Sequence, residues 1–246
     1  MTAYSLFRLD GLKILVTGAS NGLGRAIAIA CAEAGASIIL HGRNLDRLNE
    51  IVLQLSGTGH KIFSADFSNS SQIVELADFC TDLNGIVHCA GVDGVAPMHL
   101  VPSKFLNDVM QVNFFAPIIL TQRLLLKKKI LPTASILFIS SIASKTGKRG
   151  VGPYSASKAA TLGAMRPLAL EVSKHNIRVN AICPGVVRGG LFKGQEDWLD
   201  KEVAPTYPLG LGEPEDVAHA AVFFMSRASS KVTGTDFSID GGVPFT

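Results

Sequence analysis

Short apolar runs alternate along the chain with longer segments in which apolar residues recur every three or four positions. The short runs are typical of strands buried on both faces, and the longer segments are typical of helices. Strands that alternate with helices predict right-handed βαβ units and a parallel sheet. The seven predicted strands span residues 12–18, 36–42, 61–66, 85–91, 135–141, 177–185 and 235–242.

The pattern continues without a linker, a repeat or a change in composition, and 246 residues are enough for one large domain. We therefore predict an α/β fold class, with one doubly wound, seven-stranded parallel sheet of the Rossmann type over residues 1–246. Hydrophobic residues make up 47% of the chain and charged residues only 17%. Because charged residues usually reach about 25%, this excess of apolar residues agrees with a sheet covered by helices on both faces.

Two regions depart from the alternating pattern. Residues 186–212 are rich in glycine and proline, and they follow the sixth predicted strand at the sheet end where ligands bind in such folds. We interpret them as a substrate lid, with a long surface connection as the alternative. Pro167 lies inside a helical pattern and removes a backbone hydrogen bond, so we expect a kink there or compensating packing at a subunit interface.

The charge pattern argues against several classes of partner. A net charge of +3 is too small and too dispersed to indicate nucleic-acid binding. No apolar run reaches the roughly 18 residues of a transmembrane helix, and the first residues lack a signal-peptide pattern, so we expect a soluble, cytoplasmic protein without a membrane partner. The basic run at 127–129 is interpreted as a solvated helix end, with docking of an acidic partner as the alternative.

The cysteines and histidines show no spacing typical of metal ligands. The four cysteines form no Cys-x-x-Cys pair, and each has apolar neighbours, so buried free thiols in a reducing compartment are expected. His88, His99 and Asp93 likewise show no ligand spacing, and we predict no metal site.

A glycine-rich turn follows the first predicted strand, in the segment LVTGASNGLGRAIA. Gly18 permits a tight turn, Gly22 lets the backbone approach a phosphate, and Gly24 allows the next helix to pack on the sheet. The N-terminus of that helix offers free N–H groups and a partial positive charge to a pyrophosphate. Strand, turn and helix therefore predict a dinucleotide site, although the spacing differs from GxGxxG.

The end of the second strand indicates which dinucleotide binds. NAD sites usually carry an acidic residue there for the ribose 2′-OH, whereas this chain has Arg43 and Asn44. Since a guanidinium can bind a 2′-phosphate, Arg43 favours NADP(H) over NAD(H). An ordinary arginine at a helix entry, and an enzyme that oxidises with NAD, stay open as alternatives.

Tyr154 and Lys158 are four residues apart in a helical segment, which places them on one face. A neighbouring ammonium favours a phenolate, so we expect Lys158 to lower the pKa of Tyr154. A phenol with a pKa nearer to the working pH is a better proton donor. A surface pair without a function is the alternative.

With these motifs together, the sequence resembles the short-chain dehydrogenase/reductase family along essentially its whole length. Further matching positions are Asp66 after the third strand, Asn113 in QVNFFAP, and Ser141 thirteen residues before Tyr154. The segments RVNAICPG at 178–185 and SIDGG at 238–242 also match.

The resemblance implies a catalytic tetrad and a set of cofactor contacts. Tyr154 would protonate the carbonyl oxygen while Ser141 orients it. Lys158 would bind the nicotinamide ribose, and Asn113 would hold a water that links Lys158 to solvent. The expected cofactor-binding residues are Gly18, Ser20, Asn21, Gly22, Leu23, Gly24, Arg43, Asn44, Asp66, Phe67, Cys89, Ala90, Gly91, Tyr154, Lys158, Pro184, Gly185 and Val187.

The chain departs from the family pattern at two places. Family members commonly have Asn-Asn-Ala-Gly after the fourth strand, where this chain has His88-Cys89-Ala90-Gly91. A threonine often follows the Pro-Gly pair and holds the nicotinamide carboxamide, and here that position is Gly189. We expect another donor, such as the Val187 N–H, to replace it.

The resemblance is closest to reductases of 3-oxoacyl thioesters on acyl carrier protein, with Lys127–Lys129 and Lys174 as a basic dock for that carrier. Reductases of sugars or secondary metabolites remain alternatives, and so does a non-catalytic nucleotide sensor. The resemblance also implies a homotetramer or homodimer, built partly from residues 104–130, 153–174 and the last strand.

Overall fold

The computed structural model describes residues 3–243, which form a seven-stranded parallel sheet in the order β3-β2-β1-β4-β5-β6-β7. This confirms the predicted fold class, because every predicted strand lies within one parallel sheet. The strands are β1 (Lys13–Thr17), β2 (Ser37–Gly42), β3 (Lys61–Ser64), β4 (Leu83–His88), β5 (Ile130–Ile139), β6 (Arg178–Pro184) and β7 (Asp236–Ile239).

The fifth strand begins five residues earlier than its apolar run predicted. Ile130 pairs with Leu83, and Ser135 then pairs with Gly85, so the register shifts between the two pairs. Thr133 has a φ of 67° within the intervening segment. The segment before Ser135 is irregular and carries Pro132, and this explains why neither alternation nor an apolar run revealed it.

Helices cover both faces of the sheet and create two apolar cores. α1 and α8 pack against each other on one face, and α3, α5 and α6 cover the other. The helices are α1 (Gly22–Glu33), α2 (Leu45–Val52), α3 (Ser70–Phe79), α4 (Ser103–Met110), α5 (Ala116–Leu126), α6 (Gly152–Val172), α7 (Glu196–Trp198) and α8 (Pro214–Met225).

α4 and α5 form one continuous helical segment through a π-turn at Gln111–Phe115. The whole segment, Ser103–Leu126, is long and apolar enough to span a membrane by length and composition alone. This is weak evidence, because core helices of globular proteins pass the same test, and Ala116, Leu120 and Leu124 lie buried in the second core. A π-turn often marks a functional site, and here it carries Asn113.

α6 runs through Pro167 without a break. Pro167 lies on the outer side, where it lines a shallow apolar depression between α5 and α6 together with Ile118, Leu125 and Leu168. The helix therefore continues past the proline, and the surface beside it is apolar.

Candidate active site

The glycine-rich turn is shaped by close approaches that leave no room for side chains. Gly18 and Gly22 have φ values of 70° and 50°, in the left-handed region that favours glycine. A Cβ atom on Gly24 would lie 2.3 Å from the Gly18 carbonyl oxygen, and one on Gly18 would lie 2.7 Å from the Ala90 Cα. The three glycines, which we call the nucleotide cradle, therefore bring the start of α1 onto the sheet end, as a bound pyrophosphate requires.

The cradle meets the residues that were predicted to select the dinucleotide. Asn21 precedes α1 in extended backbone and makes no side-chain capping bond. A Cβ atom on Gly42 would lie 3.0 Å from the Ser20 Oγ, so the turn touches the end of β2. Arg43 follows directly and is exposed, while Asn44 caps α2 by accepting a hydrogen bond from the Arg47 N–H at 2.9 Å.

Thr17 fixes the backbone of Cys89 and Ala90 beside the cradle. Its Oγ1 accepts hydrogen bonds from the Cys89 N–H at 3.0 Å and the Ala90 N–H at 3.1 Å. These bonds keep the predicted ribose-binding backbone in place although Cys89 replaces the usual asparagine. Cys89 is partly buried, and desolvation raises the pKa of its thiol to about 12.

Asp66 and Phe67, whose contact with an adenine stays a prediction, follow β3. The Asp66 carboxylate accepts a hydrogen bond from the Ser68 N–H at 2.9 Å. Phe67 is buried and stacks on His41, with the ring centroids 4.2 Å apart. Because that side chain packs in the core, only the Phe67 backbone is placed to meet an adenine.

Ser141, Tyr154 and Lys158 come together where β5 ends and α6 begins. The Ser141 hydroxyl lies beside the Tyr154 phenol, where it acts to lower the pKa of that phenol. The Lys158 Nζ lies 5.7 Å from the Tyr154 ring centroid and donates to the Ile139 carbonyl at 2.9 Å. The Tyr154 phenol, the Ser141 hydroxyl and the buried Lys158 side chain therefore lie close together.

The acid–base properties of this group differ from the sequence-based expectation. Burial raises the pKa of Tyr154 to about 12, Ser141 opposes this shift, and Asp93 and Cys89 add to it. The expected lowering by Lys158 is wrong for the protein without a cofactor, because desolvation dominates and the Lys158 Nζ is bonded to a carbonyl. Burial also lowers the pKa of Lys158 to about 8.

Asn113 is locked into the backbone around the site. Its Nδ2 donates to the Val92 carbonyl and to the Ser157 Oγ, each at 3.0 Å, and its Oδ1 accepts from the Val92 N–H at 2.8 Å. A Cβ atom on Gly91 would meet the Asn113 Oδ1 at 3.3 Å and the Lys158 Nζ at 3.5 Å. Asn113 and Lys158 are therefore neighbours, while the water between them remains a prediction.

Pro184, Gly185 and Val187 connect the end of β6 to the lid. The Gly185 N–H donates to the Ile239 carbonyl at 2.8 Å, which holds this turn against β7. Val187 forms an isolated bridge with Gly212 through the Val186 carbonyl and the Arg188 N–H. Because that bridge does not use the Val187 N–H, this group remains a candidate donor to a carboxamide.

The segment 186–212, which is predicted to be a substrate lid and is called the lid below, contacts the cradle. A Cβ atom on Gly22 would lie 3.0 Å from the Gly190 Cα, so the two glycines are in close contact. The Arg188 guanidinium pairs with Asp200 at 2.6 Å and with Glu213 at 3.2 Å, which ties the lid to the start of α8. Within residues 3–243, no group of three or more His, Cys, Asp or Glu side chains is arranged to hold a metal ion.

A family model described as enoyl-(acyl carrier protein) reductase matches residues 18–244 of this chain. The chain belongs to the short-chain dehydrogenase/reductase family. It is therefore an NAD(P)-dependent oxidoreductase that acts on CH–OH and C=O groups. The family resemblance and the enzyme class predicted from the motifs are both confirmed.

Similar short-chain dehydrogenases/reductases are about 30% identical to this chain, and their names indicate different substrates. The chain is 31% identical to the 7α-hydroxysteroid dehydrogenase of Escherichia coli K12, covering 96% of this chain and 95% of that one. It is 31% identical to the gluconate 5-dehydrogenase of Gluconobacter oxydans, with 99% and 98% covered. It is 30% identical to the 3-oxoacyl-acyl-carrier-protein reductase of Rickettsia bellii, with 96% and 98% covered.

Solved structures in the family include both nicotinamide cofactors. A gluconate 5-dehydrogenase-like protein of Beutenbergia cavernae with bound NADP has a TM-score of 0.88 and 31% identity, covering 96% of this chain and 98% of its own. A 7α-hydroxysteroid dehydrogenase complexed with NADH and 7-oxo glycochenodeoxycholic acid has a TM-score of 0.89 and 29% identity, covering 100% and 99%. The fold and the use of a nicotinamide cofactor are thus shared.

Sequence reasoning missed several residues that shape this short-chain dehydrogenase/reductase site. Ser157 is fully buried; its Oγ donates to the Tyr154 carbonyl at 2.7 Å and accepts from Asn113. Gly94 lies against the start of α6, where a Cβ atom would be 3.0 Å from the Tyr154 N atom. Ser157 stands between Tyr154 and Lys158 in the motif and was open to the same helical argument, whereas Gly94 showed no signal in sequence.

Proposed function

We propose that this protein is an NADPH-dependent carbonyl reductase, a ketoreductase that uses Tyr154 as its proton donor. The observation that carries the proposal is the grouping of Ser141, Tyr154 and Lys158 at the sheet end that also bears the nucleotide cradle. NADPH, when bound, supplies the hydride. The chain's own residues then have to orient the carbonyl and deliver one proton.

The protonation states suit the reductive direction. With a pKa near 12, Tyr154 keeps its proton at neutral pH until an alkoxide develops beside it. The Ser141 hydroxyl is placed to share a hydrogen bond with the same oxygen and to hold it in line. Lys158 lies 5.7 Å from the phenol ring, and its proposed role is to bind the nicotinamide ribose.

NADP(H) is the proposed cofactor, and NAD(H) is less favoured. Arg43 is exposed directly after β2, next to Ser20 and Gly42, where the 2′ position of an adenosine would lie. Asp66, the nearest predicted acidic contact on the neighbouring strand, is engaged with the Ser68 N–H. A free guanidinium without a competing carboxylate at β2 supports a phosphate-bearing dinucleotide.

The proposed substrate class is a 3-oxoacyl thioester, carried on acyl carrier protein or free in solution. The 3-oxoacyl-acyl-carrier-protein reductase of Rickettsia bellii aligns over 98% of its length, which supports this choice. The similarity to gluconate and hydroxysteroid dehydrogenases keeps a sugar or a secondary-metabolite alcohol as the alternative. Of the predicted basic dock at Lys127–Lys129 and Lys174, Lys128 and Lys174 are exposed near the ends of α5 and α6. Lys127 pairs with the Asp78 carboxylate, and Lys129 donates to the Asp78 carbonyl.

We also propose a homotetramer or homodimer in the cytoplasm, without nucleic-acid or membrane partners. The apolar depression between α5 and α6 and the half-exposed Phe237 on the edge strand β7 support assembly through these surfaces. Exposed apolar surface of this kind on adjacent helices is typical of subunit contacts. Sedimentation analysis would give the subunit count.

The first test is NADPH oxidation followed by absorbance, with a 3-oxoacyl thioester, simple ketones and keto-sugars, each beside Tyr154→Phe. Turnover of the thioester that falls about a thousandfold in the variant, with NADPH binding retained, supports the proposal. A non-catalytic nucleotide sensor would instead bind NADPH but would not oxidise it with any substrate of the panel. Turnover that is unchanged in Tyr154→Phe would rule out the proton-donor role.

A further inference from the structure

The segment after β4 forms a wall against the loop before α6, and glycines allow the close approach. The Ala96 N–H donates to the Gly150 carbonyl at 2.7 Å, which joins the segment after β4 to the loop before α6. A Cβ atom on Gly152 would lie 2.5 Å from the Met98 Cε, so Met98 lies directly on the start of α6. This wall is therefore built around the catalytic helix and reaches Tyr154 through Gly94.

The opening carries large apolar side chains that the protein leaves in contact with solvent. Val95 is 57% exposed, Met98 67% and Trp198 40%. Trp198, on the lid, stacks on Phe192 with a centroid distance of 6.3 Å. Val95 and Met98 lie against Gly150 and Gly152 at the start of α6, and exposed apolar groups of this kind indicate an apolar ligand rather than a fold requirement.

The same opening also carries positive charge. The Lys148 Nζ lies 5.6 Å from the Trp198 ring centroid, so the loop before α6 reaches across to the lid. Arg149 is its exposed neighbour, and among residues 3–243 no ion pair involves either side chain. We name Val95, Met98, Lys148, Arg149 and Trp198 the mouth.

The acidic groups near the mouth have partners of their own or lie deeper in the site. On the lid, the Glu196 carboxylate accepts from the Gly194 N–H at 2.9 Å, and Asp197 lies 3.9 Å from the Lys201 Nζ. Asp93 accepts from the Gly94 N–H and acts on Tyr154, so negative charge lies at the inner end. Charge complementarity thus places an anion at the outer end, away from the reacting carbonyl.

We propose that the mouth selects amphipathic anionic substrates, in which an apolar body lies against Met98 and Trp198 and a remote carboxylate or phosphate binds Lys148 and Arg149. This specificity adds a substrate class to the proposed function. It rests on that function only because the reacting carbonyl is assigned to Tyr154. Two sources share this chemistry, a free keto acid and the phosphate of a pantetheine thioester. Lys148 and Arg149 would then determine specificity without taking part in proton transfer.

Trp198 is the only tryptophan in the chain, so its fluorescence reports on the mouth without any need for turnover. Decanoate and decanol, which share an apolar chain and differ in charge, would be titrated into the protein saturated with NADP⁺. We expect decanoate to bind more tightly than decanol. The double variant Lys148→Met/Arg149→Met should weaken decanoate about tenfold and leave decanol unchanged, while Lys231→Met, an exposed lysine elsewhere, should change neither.

Turnover of matched pairs then identifies the source of the anion. One pair is a long keto acid and its methyl ester, and the other is a 3-oxoacyl pantetheine thioester with and without its terminal phosphate. We expect the double variant to lower kcat/KM about tenfold for one anionic member, with the neutral members and kcat little changed. The pair whose anionic member is turned over more slowly by the double variant identifies the chemical source of the anion.

The outcomes separate this inference from the proposed function. Equal binding of decanoate and decanol, or a preference that survives the double variant, would overturn the anion subsite even if ketones are reduced. Failure to reduce any of the four carbonyl compounds, with the decanoate preference intact and lost in the double variant, would overturn reduction of these substrates and leave the anion subsite standing.

Discussion

The nucleotide cradle and the lid lie in contact through Gly22 and Gly190, but different forces hold them in place. The cradle is fixed by part-buried hydrogen bonds that Thr17 accepts from Cys89 and Ala90 and by approaches too close for any side chain. The lid is tied by Arg188 to two exposed carboxylates, and its apolar groups remain partly in water. The cradle therefore depends on close packing, whereas the segment 186–212 is held by surface side chains that can change without damage to the fold.

The largest effect is expected from Gly24→Ala, which tests the cradle directly. The new Cβ would lie 2.3 Å from the Gly18 carbonyl oxygen, so the turn has to move. We expect a loss of about 3 kcal/mol in the free energy of unfolding and an NADPH affinity at least about tenfold weaker. Urea denaturation and NADPH titration measure the two quantities.

Gly163→Ala provides the matched control, because no atom lies within 4 Å of its added Cβ in the interior of α6. This variant should gain up to about 1 kcal/mol from helix propensity. A Gly24→Ala protein as stable and as tight for NADPH as the wild type would contradict the close-packing account of the cradle.

The cradle and the lid should also differ in how acid affects their stability. Two buried histidines lie beneath the cradle, and no histidine occurs in residues 186–212. His41 and His88 flank Thr17 in the sheet, and burial lowers their pKa values to about 4 and about 3. Unfolded histidines bind protons near pH 6.5, so stability is complete above that pH and is lost as pH falls towards 4. His41 alone should account for about 3 kcal/mol.

Unfolding of wild type and His41→Phe at pH 7 and pH 5 measures this dependence. Phenylalanine can keep the stack on Phe67 but binds no proton, so the variant should lose less stability on acidification. Identical pH dependence in the two proteins would show that His41 is not the group responsible.

Arg43→Ala should have a smaller effect that is confined to one cofactor. We expect NADPH affinity to fall about tenfold, because one charged hydrogen-bonding group is lost, while NADH affinity stays the same. Isothermal titration with both dinucleotides measures the difference, and Arg227→Ala, an exposed arginine outside the site, serves as the control. Unchanged NADPH binding would contradict the NADP preference.

The smallest effect is expected from Arg188→Met in the lid. Its two ion pairs are exposed, so their loss should cost at most about 1 kcal/mol and raise the KM for NADPH no more than about fivefold. High salt should reproduce part of the effect in the wild type. Arg8→Met, which removes an exposed ion pair with Asp10, controls for charge loss away from the lid. A drop in folding stability as large as that of Gly24→Ala would mean that the cradle and the lid are stabilised by interactions of similar strength.

The fold and the cradle were predictable because their signals are local. Buried strands require short apolar runs, and glycines between strand and helix require a turn of one kind. The start of β5 was not predictable, since its irregular register and Pro132 disrupt the pattern. The stack of Phe67 on His41 was not predictable either, because it joins residues from two separate strand ends.

The sequence by itself determined the alternating α/β order, the dinucleotide turn and the shared helical face of Tyr154 and Lys158, because each follows from spacing within one short segment. Only the tertiary structure decided the protonation states and the mouth. Desolvation by distant segments raises the pKa of Tyr154, against the expectation from its neighbour alone. Lys148 meets Trp198 across fifty residues of chain through folding of the lid, and such contacts leave no periodic trace in the sequence.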